Sequence, residues 1–146
     1  MKRKFLYEIL DEIQEAEDFK VALFSSLDSS KIFKQFVSII YNKKYEWEVD
    51  KNIKDVKPRS ERENGGFSSA WMDVVNVIER KLIKNTELSK RFDDYYIKAC
   101  QSCNKKDVDI LNYALKNRNL PGFKGARKKI ITDALKEYFG DEYETV

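Results

Sequence analysis

Apolar residues return at intervals of three and four in stretch after stretch of this chain, and that period restricts what it can build more than any motif does. Phe5, Leu6, Ile9, Leu10 and Ile13 share one face of a helix predicted over Lys2–Gln14. Phe19, Leu23 and Phe24 predict a short second helix over residues 17–26, and Ile32, Phe33, Phe36, Val37 and Ile40 a third that starts at Asp28 or Ser29. Further on, Trp71, Val74, Val75, Ile78 and Leu82 predict a helix from Ser68 or Ser69 to Ile83, and Leu88, Phe92, Tyr95, Tyr96 and Ala99 another over Thr86–Cys103. Val108, Leu111, Ala114 and Leu115 give one over Lys106–Asn117. Ile130, Ile131, Ala134, Leu135 and Tyr138 give a last one over Phe123–Phe139, with Gly140 as its stop. The expected fold is all-α, a single irregular bundle of about seven short helices forming one domain over residues 1–146.

The period fails between Asn42 and Gly66, where Pro58 and Gly65-Gly66 also fall, so residues 42–66 are expected to be a long loop. Lys51, Lys54, Lys57, Arg59 and Arg62 make it basic in part, and the alternation of Tyr45, Trp47 and Val49 leaves a short edge strand open. Residues 140–146 read as an acidic tail through Asp141, Glu142 and Glu144.

Charged residues make up 36% of the chain and hydrophobic ones 42%, a balance that predicts a soluble helical protein. No apolar run approaches the roughly 20 residues needed to span a bilayer, and Met1-Lys2-Arg3-Lys4 leads into an amphipathic segment with acids. A cytoplasmic protein without membrane contact is expected.

Catalytic and metal chemistry find little to work with. There is no histidine, and the two cysteines, Cys100 and Cys103, supply only half of a tetrahedral zinc set. That pair also lies near a predicted helix end, where the dipole does not lower a thiol pKa, so it reads as buried or half-buried thiols. Asp93-Asp94 and the Asp107/Asp109 pair read as solvated helix faces. Gly65-Gly66 and Gly122/Gly125 match neither a P-loop nor a dinucleotide fingerprint. No catalytic residue, no cofactor and no metal is therefore expected, and the chain reads as no enzyme.

Charge distribution says more than net charge, which is only +3. Between Tyr113 and Thr132 there are six basic side chains and no acidic one: Lys116, Arg118, Lys124, Arg127, Lys128 and Lys129. They surround the turn Asn119-Leu120-Pro121-Gly122-Phe123-Lys124-Gly125, where one predicted helix ends and another begins. A helix start offers unpaired N–H groups and positive dipole charge to an anion, and a nucleic-acid backbone suits such a place. A solvated lysine-rich helix end that binds nothing is the plainer alternative. Most aromatic rings occupy core positions of the helical pattern; Tyr41, Tyr45, Trp47 and Phe123 are the ones left over for stacking on a ligand.

Phe5–Ile13, Ile32–Tyr41, Gly66–Ile83 and above all Lys106-Asp107-Val108-Asp109-Ile110-Leu111 with Lys116-Asn117-Arg118-Asn119-Leu120 resemble the all-helical N-terminal DNA-binding domain of ATP-dependent DNA ligases from tailed phages. The likeness covers most of the chain. Two departures stand out: Asn119 replaces the family's aspartate, and the turn through Gly125 differs in length and content. The resemblance implies that Arg118, Gly122, Lys124, Gly125 and Arg127 lie near duplex phosphates. It does not imply ligation, since the family's Lys-x-Asp-Gly motif occurs nowhere and Lys105-Lys106-Asp107-Val108 lacks the glycine. The expected function is that of a phage accessory protein binding double-stranded DNA through its phosphates at Lys116, Arg118, Gly122, Lys124, Gly125, Arg127, Lys128 and Lys129. The alternative is a phage interaction or inhibitor module docking on a host or phage replication, transcription or defence protein through the 42–66 loop and the acidic tail.

Overall fold

The computed structural model describes residues 5–44 and 104–146. Within them lie five helices and no strand: α1 (Leu6–Glu15), α2 (Phe19–Ser29), α3 (Lys31–Tyr41), α4 (Lys105–Asn117) and α5 (Ala126–Phe139). The 45–66 part of the expected loop with its edge strand, the two helices expected at 68–83 and 86–103, and the Cys100/Cys103 pair lie outside the described residues.

Local chemistry sets the helix ends. Asp18 caps α2 by accepting from Val21 N at 3.2 Å, and Ser30 caps α3 by accepting from Phe33 N at 3.2 Å. Ser30 also donates its own N–H to Ser26 O at the end of α2, so one residue closes one helix and opens the next. The α2–α3 boundary therefore falls later than Asp28 or Ser29. Asn104 caps α4 through Asp107 N at 2.8 Å.

Helix α1 has no capping side chain of its own sequence kind, because Phe5 occupies the cap position. Its first amides are served from elsewhere. Asp107, in the first turn of α4, accepts from Tyr7 N at 2.9 Å and Leu6 N at 3.2 Å, while Glu8 accepts from Phe5 N at 3.1 Å. Asp107 is fully buried, which corrects its reading as a solvated helix face. Burial pushes its carboxyl above the usual carboxylate range, opposed by the Tyr7 and Leu6 amides and by the Asn104 side chain.

The core joins Leu6, Ile9, Leu10 and Ile13 of α1 to Leu23 and Leu27 of α2, Phe33, Phe36, Val37 and Ile40 of α3, Val108, Leu111 and Leu115 of α4, and Ile131 and Leu135 of α5. Each such side chain contributes about 1.5–3 kcal/mol by leaving water. Helix α1 packs on both α2 and α4, and α2 on α3. Two aromatic residues expected to be available for a ligand are core instead: Tyr41 and Phe123 are both buried. Conversely Ile130, expected inward together with Ile131, is 56% exposed, because adjacent helical residues point about 100° apart and Ile131 is the one in the core.

The tail is docked. Tyr143 Oη donates to Ser38 O at 2.8 Å, Lys43 N to Glu144 O at 2.8 Å and Val146 N to Tyr41 O at 3.0 Å, with Asn42 and Thr145 forming a single antiparallel bridge.

Candidate nucleic-acid interface

The turn between α4 and α5 is fastened before it presents any charge. Arg118 ends α4 in the left-handed conformation (φ 50, ψ 47), its N–H returning to Ala114 O at 2.8 Å. An arginine is strained there where glycine would not be. Its guanidinium explains the choice. Nε donates to Ile40 O at 3.0 Å, and Nη2 donates to Asn42 O at 2.7 Å and Ile39 O at 3.3 Å, so a cation caps the C-terminus of α3, where the helix dipole favours positive charge.

Beyond it a buried polar chain holds the turn. Leu120 N donates to Tyr41 Oη at 2.7 Å, Tyr41 Oη donates to Asn119 Oδ1 at 2.6 Å, and Asn119 Nδ2 donates to Phe123 O at 2.6 Å. Burial keeps the Tyr41 hydroxyl neutral by pushing its pKa far above the phenol range. An aspartate at position 119 would bring two acceptors and leave the Phe123 carbonyl without its donor, a local reason for the asparagine. From α1, Gln14 Nε2 donates to Pro121 O at 2.9 Å, and the Phe123 ring packs on Phe19 at 5.5 Å. A Cβ at Gly122 (φ 90) would fall 2.3 Å from Gln14 Nε2, so the exposed Gln14 side chain would have to shift.

The turn then opens to solvent. Gly125 (φ 63) caps α5 without a side chain, and a Cβ there would meet nothing within 4 Å. Among the described residues, no acceptor receives the N–H groups of Ala126 and Arg127, the first two of α5. Lys124, Arg127 and Lys129 are exposed and Lys128 half-buried. Lys124 Nζ lies 5.8 Å from the Tyr113 ring centroid, and Arg127 Nη1 reaches Gly122 O at 3.4 Å. No described carboxylate pairs with any of these four; the Lys20–Glu137 pair lies further along α5. Lys116 sits half-buried in the last turn of α4.

The expected residues thus divide. Gly122, Lys124, Gly125, Arg127, Lys128 and Lys129 come together around the start of α5, whereas Arg118 turns its charge toward α3. Gln14 and Phe19, which both touch the turn, belong to a stretch of chain whose Glu15, Glu17 and Asp18 are exposed, so the segment that borders the turn carries acids as well. Tyr41, Asn119 and Gln14, which shape the site, carried no sequence signal for that role: their partners lie 78 to 107 residues away or across a turn whose course the sequence does not specify. Among the described residues, no group of three or more potential metal ligands occurs, and no helix is long and apolar enough to cross a membrane.

No protein-family model, no curated protein and no solved structure matches this chain.

Proposed function

We propose that the protein is a non-enzymatic binder of double-stranded DNA, holding phosphates at the start of α5 with Lys124, Arg127, Lys128 and Lys129 and the amides of Ala126 and Arg127. One observation carries this reading. The α5 N-terminus lacks a capping side chain, has exposed cations on its first turn and on the residue before its cap, and has no described carboxylate paired with them. Backbone amides and lysines recognise phosphate, not base edges, so little sequence preference is expected.

Arg118 enters as a support of the turn, not as a phosphate ligand. With about four phosphates neutralised, the slope of log affinity against log salt is roughly −3.6, a loss of about a hundredfold between 50 and 200 mM salt. Fluorescence anisotropy with a labelled duplex measures it. Replacing Lys124, Arg127 and Lys129 together by alanine should flatten the slope to about −0.9; a triple variant that binds with the wild-type slope refutes the site.

The mixed rim favours a second reading, docking onto a protein surface of alternating charge, with Glu15 and Glu17 taking part beside Lys124 and Arg127. Charge reversal at Glu15 and Glu17 separates the two: it should strengthen binding to DNA and weaken binding to a protein.

A further inference from the structure

We propose that Tyr41 and Asn119, neither of which can reach a ligand, are the positioning residues of the anion corner. The inference rests on the phosphate-binding reading above and concerns what keeps that corner in shape.

The four groups form a relay whose protons have one arrangement. Leu120 N–H donates to Tyr41 Oη, so the single hydroxyl proton is left for Asn119 Oδ1; the Asn119 amide must then present Nδ2 to Phe123 O. All of this is buried, with Asn119 5% exposed and Tyr41 and Leu120 fully enclosed. In a low-dielectric setting each member is costly to leave unpaired, so the relay behaves as one unit. Phe123 O is the last group it holds, one residue before Lys124 and two before the Gly125 cap. The carbonyl of Phe123 fixes the plane of the Phe123–Lys124 peptide, and from that plane Lys124 and the first amides of α5 take their direction.

A turn ordered before binding does not pay its ordering entropy at the moment of binding. Breaking the relay should therefore lower affinity without changing the number of cations engaged.

The test compares Tyr41→Phe and Asn119→Ala with Tyr143→Phe, which removes a hydroxyl bond to Ser38 O that is no part of the relay. Duplex affinity is measured at two salt concentrations on protein shown to be folded by circular dichroism. Both relay variants should bind about tenfold more weakly with the wild-type salt slope, as expected for re-ordering one or two residues. Tyr143→Phe should bind as wild type. Should Tyr41→Phe not fold, Asn119→Ala carries the same comparison, because it keeps the Tyr41–Leu120 bond. If wild type binds with a steep salt slope and the foldable relay variants match Tyr143→Phe, the inference is overturned while the binding reading stands. If wild-type protein shows no salt-dependent duplex binding, both fall.

Discussion

Replacing Asp107 by alanine should destabilise the fold by about 2–4 kcal/mol, although the site it touches lies away from the basic turn. The carboxylate accepts two backbone amides from α1 at 2.9 and 3.2 Å. Hydrogen bonds to a charged group are worth roughly 1.5–3 kcal/mol each, and the loss takes the carboxylate away from the buried Leu6 amide. Burying the carboxylate costs part of this back, which is why its pKa is raised and the total lies below the simple sum. Urea denaturation followed by circular dichroism reads the change as a midpoint lower by about 1–2 M, for a slope near 2 kcal/mol per M. The pH dependence gives a sharper check. Because the folded pKa lies above the unfolded value of about 4, the folded state binds more protons in the window between them, and stability falls as pH rises through it. Asp107→Asn carries no titrating proton, so the stability of wild type relative to that variant should shrink from pH 4 upward and level off above the raised folded value. A gap between wild type and Asp107→Ala below about 0.5 kcal/mol, or a wild-type advantage over Asp107→Asn that grows with pH, refutes the reasoning.

Other substitutions test other joints. Arg118→Ala should lower stability by about 2–4 kcal/mol in thermal unfolding, since three carbonyls at the end of α3 lose their cation. Arg118→Gly should lose less, about 1 kcal/mol being returned by relief of the left-handed backbone. Gly125→Ala should cost about 1–2 kcal/mol from backbone strain alone, because no atom crowds the new methyl. Ile130→Ser should change the stability by no more than about 0.5 kcal/mol in thermal unfolding, as its side chain is mostly in water.

Helix type and most inward faces were legible from spacing, because a period of three and four over ten or more residues has one common explanation. The faces of α1, α3 and α4 came out as the pattern requires. What the pattern could not supply was anything decided by a distant partner. Tyr41 ends an amphipathic helix, where an aromatic residue fits either boundary or core, and its hydroxyl meets Asn119 and Leu120, partners that its local sequence does not announce. Asp107 looks like an ordinary acid in a first helical turn; its unusual duty exists because Phe5 leaves α1 uncapped. Ile130 and Ile131 are adjacent, so periodicity assigns both to the core while geometry admits one. The basic cluster was visible as composition, yet the sequence could not tell that Arg118 would turn away from it.

The mixed rim constrains how the proposed corner would work. Gln14 donates to Pro121 O and the Phe19 ring packs against Phe123, so the segment that carries the exposed Glu15, Glu17 and Asp18 is tied to the turn. At physiological ionic strength the Debye length is about 8 Å, and opposite charges side by side on that scale cancel at longer range. With 28 basic and 25 acidic residues in all, the net charge of +3 adds little long-range pull on a polyanion. Attraction must therefore come from direct contact, where the uncapped amides and the cations on the turn act over a few ångströms. It follows that salt should act mainly on the lifetime of the complex and only weakly on the association rate, which stopped-flow measurement at two salt concentrations would separate; a steeply salt-dependent association rate would mean that the acids of the rim do not screen the corner.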